Sequence, residues 1–281
     1  MTDIAAPVAD DTPRSAYGVL ERRATLVTVA ALLALAALSW WSTLDNVRDM
    51  SSMVQGFAHV GTAMPFDMSV AVFMTMWLTM MVAMMFPTIA PIVLLHRMVV
   101  RRRGEGVVPS VAFGSGYLVI WSIVGLVPLA ILIGFRHVAD GSSWVPRAGG
   151  IVLVLAGAYQ FTRWKDACLR ACRTPLSFLM THDFGSGSSG AFRVGLSHGL
   201  YCIGCCWALM AVLFVVGLMN LAWMAATAVV FLAEKNWRHG VGLTKVAGAA
   251  VVCFGAVVLI HPSVLDSVAP LKDAPTMMMG G

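Results

Sequence analysis

VGLSHGLYCIGCCWALMAVLFVVGLMNLAWMAATAVVFLA, residues 194–233, contains no acidic residue, no lysine and no arginine. At about 1.5 Å per residue a single helix of this length reaches roughly 60 Å, twice the roughly 30 Å of a bilayer's hydrocarbon. The run has to double back. Gly217-Leu-Met-Asn220 is where the turn is expected, because glycine ends helices and asparagine caps them.

Further apolar runs lie at 24–44, 68–95, 107–135, 148–162 and 241–260, the last interrupted by Lys245. With 59% of residues hydrophobic and only 12% charged, the composition is that of a polytopic membrane protein. The fold expected is all-α, a membrane helical bundle of about seven transmembrane helices. Lys and Arg concentrate in alternate connections, so the positive-inside rule predicts a cytoplasmic N-terminus and an external C-terminus.

On that topology residues 1–23 form a cytoplasmic segment, 24–260 a single membrane domain and 261–281 an external tail. The connection 163–193 is expected in the cytoplasm, with Gly185-Ser-Gly-Ser-Ser-Gly190 as a flexible stretch. Arg14, Arg22 and Arg23 precede the first run and no small-residue cleavage site follows it, so that run is expected to remain as a helix. The net charge of +5 belongs to loops that orient helices and meet lipid headgroups, which argues against nucleic acid as a partner.

The doubled run also concentrates chemistry. Relative to Cys202, a helical turn of about 100° per residue puts His198, Cys205, Cys206 and Met210 in one wedge. Thiolate and thioether donors select soft ions, above all Cu(I), with Zn(II) as the alternative cofactor because it also accepts thiolate. Unwinding at Gly204 would help more than one thiol reach the same ion. The competing reading makes the cysteines small buried hydrophobes, and the Gly195/Gly199 pair reads as a helix-packing seam.

A second pair, Cys168 and Cys172, has the i, i+4 spacing that places both sulfurs on one helix face ahead of Pro175. Lys165, Arg170 and Arg173 surround it and are expected to lower the thiol pKa. In the second apolar run Met76, Met80 and Met84 share one stripe, and Met74, Met81 and Met85 another. Met80 and Met84 are expected near the depth of Cys202. Met50, Met53, His59, Met64 and Met68, with Met277 to Met279, suggest an outward thioether cluster that captures Cu(I). Glu234 and Lys235 read as an ion pair at the membrane boundary.

Three motifs in this order, 80–87 with Met80, Met84, Met85 and Pro87, then 165–175, then 195–235, resemble a bacterial family of predicted metal-binding integral membrane proteins, a domain of unknown function. The resemblance runs from the second apolar run to about Trp237. It implies metal binding in a bacterial cytoplasmic (inner) membrane and names no reaction. The function expected is soft-metal handling, as sequestration, delivery or translocation, with a metal-donor or metal-acceptor protein as partner besides the lipid bilayer and other subunits. Two alternatives stand beside it. One is a thiol-disulfide oxidoreductase using Cys202/Cys205 and Cys168/Cys172. The other is a scaffold of a membrane complex.

Overall fold

A computed structural model describes residues 13–49, 70–135, 144–181, 187–217 and 220–265, all of them helix or short turn with no strand. In chain order the helices are α1 (Pro13–Asp49), α2 (Val70–Arg102), α3 (Val108–Phe135), α4 (Val145–Tyr159), α5 (Arg163–Arg173), α6 (Pro175–Thr181), α7 (Gly187–Val216), α8 (Leu221–Asn236) and α9 (Gly240–Ile260). The methionines from Met50 to Met68, expected to face outward, the triple-methionine tail and residues 1–12 lie outside the described residues.

Among the described residues each apolar run is helical over most of its length, and the long one divides as its residues predict. Gly217, at φ +117°, ends α7, and its N–H bonds the Leu213 carbonyl. Asn220 then caps α8, its side chain accepting from Trp223 N–H at 3.3 Å. Five helices are long and apolar enough to cross a membrane: Thr25–Asp45, Val70–Arg102, Val108–Ile131, Gly187–Val216 and Gly240–Ile260. α4 with 15 residues and α8 with 16 are shorter than the roughly 20 that span hydrocarbon.

The helix expected ahead of Pro175 is present in the connection after α4. Two helices fill it, α5 capped by Thr162 and ended at Thr174, and α6 opened by Pro175. Residues 187–190 of the expected flexible stretch form the first turn of α7 instead.

Small residues let the helices approach. α3 lies along α7 with Gly116 against the backbone at Phe192 and Gly195 against the backbone at Phe113, so a Cβ at either would collide. Gly199 meets Ile120 in the same seam. α4 and α9 pack the same way, Gly157 and Gly248 facing each other. The outer faces stay apolar, with Leu38, Val111 and Ile260 exposed.

α2 continues through Pro87 and Pro91. Pro87 has no N–H to give the Ala83 carbonyl four residues back. The indole N–H of Trp40, on α1, donates to that carbonyl at 3.2 Å. Trp40→Phe removes this donor while keeping an aromatic ring. We expect it to lower unfolding free energy by about 1–3 kcal/mol, the cost of an unsatisfied buried carbonyl, read as a lowered Tm in detergent.

Candidate metal centre

α7 is helical throughout Gly187–Val216, so its wedge persists without unwinding at Gly204. Cys202, Cys205 and Cys206 are all fully buried. Gly204 has another use. A Cβ there would strike the Cys168 sulfur, so its absence admits α5, while the Gly204 carbonyl accepts from the Tyr159 hydroxyl at 2.7 Å.

Because α5 lies on α7, its second cysteine joins the first set. The sulfurs of Cys172, Cys202 and Cys205 lie within 4.8 Å of one another. Cys205 Sγ is 3.7 Å from Cys172 Sγ and 3.4 Å from Cys206 Sγ, and it donates to the Cys202 carbonyl at 3.1 Å. An ion with metal–sulfur bonds of about 2.3 Å sits between sulfurs roughly 4 Å apart, so the triangle has the dimensions of a soft-ion site. All six cysteines are free.

Two lysines flank the thiols. Lys165, expected in a cytoplasmic collar, is wholly buried, and its ammonium donates to the Cys205 carbonyl and to Glu234 Oε2 at 2.9 Å. Glu234 is therefore paired with Lys165 rather than with its neighbour Lys235. Arg173 donates to the Glu234 backbone carbonyl, which ties the far end of α5 to α8. Lys235 turns inward, its Nζ 3.1 Å from Cys202 Sγ and 3.2 Å from Thr88 Oγ1. The Tyr117 hydroxyl of α3 meets the same sulfur at 3.1 Å.

The remaining candidates are distributed around this centre. Met80, Met84 and Met210 are buried in the core that contains the cysteines. Met85, from the other stripe, has its sulfur 3.9 Å from Lys235 Nζ. The ring of His198 stacks on Phe113 and Tyr117 at 6.1 and 6.0 Å and meets Phe178 edge-on at 5.2 Å. The three-thiol group does not include it. Cys168 is half-buried against Gly204.

Sequence reasoning placed Lys165 beside Cys168 and Cys172 but missed its burial and its reach to Cys205 and Glu234, and it missed Lys235, Tyr117 and Thr88 as neighbours of the thiols. For the lysines the signal was present: an ionisable residue within or beside an apolar run is costly unless a partner holds it. Nothing in the spacing marked Tyr117 or Thr88.

The expected lowering of thiol pKa by nearby cations fails at Cys168. Burial disfavours its thiolate and raises the pKa above the ordinary thiol value, with Lys165 pulling weakly the other way. We expect maleimide to modify Cys168 more slowly at pH 7 than a free thiol. Holding Cys168 as the sole cysteine, the rate should keep climbing above about pH 9. A rate already flat at pH 8 would contradict the burial argument.

Residues 74–258 match the family model PpoB2, described as a copper chaperone, and that span contains every side chain of the centre. No curated protein matches the chain, and no solved structure does.

Proposed function

We propose that this chain, which belongs to the PpoB2 copper chaperone family, carries its copper as Cu(I) on the sulfurs of Cys172, Cys202 and Cys205. The carrying observation is the triangle itself: three thiols from two helices, two of them fully buried. Three sulfurs suit Cu(I), the softest common ion, and taken alone fall one short of the four ligands that Zn(II) prefers. Cys206 at 3.4 Å from Cys205, and the thioethers of Met80, Met84 and Met210 in the same core, offer further soft donors. His198 stands as an additional ligand only if its ring leaves the aromatic stack.

Five helices long and apolar enough to cross a membrane support a multi-pass protein, and we place it in the bacterial cytoplasmic membrane. In this reading the five long helices and the shorter α4 and α8 make seven spans, with the N-terminus and α5–α6 in the cytoplasm. Burying α4 and α8 against neighbours allows their lengths of about 22–24 Å to suffice where the bilayer thins locally. The metal then passes between the centre and a soluble donor or acceptor through Cys172 and Cys168, the two half-buried cysteines on α5. Ligand exchange between thiols permits such transfer without releasing a free ion.

One observation favours a redox reading as the second choice. Cys172 and Cys205 lie on different helices with sulfurs 3.7 Å apart, close enough to be joined by modest movement. This pairing differs from both pairs expected from spacing.

The test is anaerobic purification after copper loading, with bound copper measured in the wild type and in variants. Cys172→Ser, Cys202→Ser and Cys205→Ser should each lower retained Cu(I) at least tenfold, and Cys253→Ser, on an exposed position of α9, should leave it unchanged. Full retention in the combined triple variant would sink the assignment. A disulfide population that appears with mild oxidant and vanishes in Cys172→Ser would favour the redox reading.

A further inference from the structure

The side of the thiol cluster that faces α8 is closed by a cation. Lys235 is 5% exposed, and its ammonium has three acceptors or attractive neighbours: Cys202 Sγ at 3.1 Å, Thr88 Oγ1 at 3.2 Å and the Met85 sulfur at 3.9 Å. The Phe231 ring lies 5.9 Å from the same nitrogen, a cation–π distance. Through Cys202 the ammonium sits beside the whole three-thiol group, whose sulfurs lie within 4.8 Å of one another. The other buried lysine contributes no net charge, because Lys165 is matched by the Glu234 carboxylate at 2.9 Å.

We infer that Lys235 determines which ion the thiols accept, admitting a univalent soft ion and disfavouring a divalent one. This rests on the copper reading above and adds a residue that decides selectivity. Two physical effects act in the same direction. An ammonium carries three donors and no lone pair, so while charged it fills space beside Cys202 without offering the fourth ligand that Zn(II) and Cd(II) favour. Tyr117, at 3.1 Å, crowds the same sulfur.

The second effect is charge. Coulomb repulsion from the ammonium doubles when the ion's charge doubles, and burial leaves little water to screen it. Beside a fixed positive charge, a univalent ion reaches neutrality with two thiolates. A divalent ion needs all three. With the lysine charge removed, two thiolates neutralise a divalent ion and leave a univalent one in excess negative charge. The same sulfurs then favour the other class of ion.

Ag(I) and Cd(II) are suitable probes because both are soft and neither changes oxidation state on the protein. Competition between them is measured on full-length protein in detergent for the wild type, Lys235→Gln, Lys235→Leu and Lys235→Arg. The neutral variants should raise the affinity ratio of Cd(II) to Ag(I) by at least about tenfold, and Lys235→Arg should stay within about threefold of wild type. An unchanged ratio in both neutral variants overturns the assignment of Lys235. So does a wild type that takes Cd(II) as tightly as Ag(I), a result that does not depend on any variant folding. If the wild type binds neither Ag(I) nor Cu(I), the copper reading fails together with this one.

Discussion

The centre depends on one buried ammonium. Lys165 leaves α5, donates to the Cys205 carbonyl on α7 and pairs with Glu234 on α8 at 2.9 Å, so three helices meet on a single nitrogen. Both partners of the pair are essentially unexposed, at 0% and 1%. Buried ion pairs gain little net stability, because desolvation offsets most of the attraction, but breaking one leaves an uncompensated charge. What Lys165 supplies is position. It fixes α5 on α7, and with it the distance from Cys172 to Cys205.

The same constraint explains why the sequence was legible in some places and opaque in others. Helices and their breaks follow from local chemistry, so the apolar runs, the turn at Gly217 and Asn220 and the stop before Pro175 could be read directly. The cysteine wedge on α7 could be read too, since it needs only helical periodicity. That Cys172 joins it could not. The contact spans 33 residues and depends on how α5 folds back, which the spacing of Cys168 and Cys172 does not encode.

The charged residues misled for a related reason. Lys165 and Lys235 border apolar runs, where the positive-inside rule places cations at the interface. A topological rule counts charges and is blind to where a long side chain turns. Lys165 turns toward Glu234, and Lys235 toward Cys202. The neighbouring Glu234 and Lys235 therefore have different partners, as adjacent helical residues pointing about 100° apart can.

α1 presents a different problem of placement. Only 6% of its apolar window is buried, so little of its surface distinguishes the bundle from lipid. In hydrocarbon, apolar area gives a helix no reason to choose one neighbour over another. An unanswered carbonyl does give one, because no water is present to answer it. By leaving Ala83 without its usual donor, Pro87 writes an address on α2, and Trp40 is the reader. A residue usually regarded as a helix breaker thus recruits a helix.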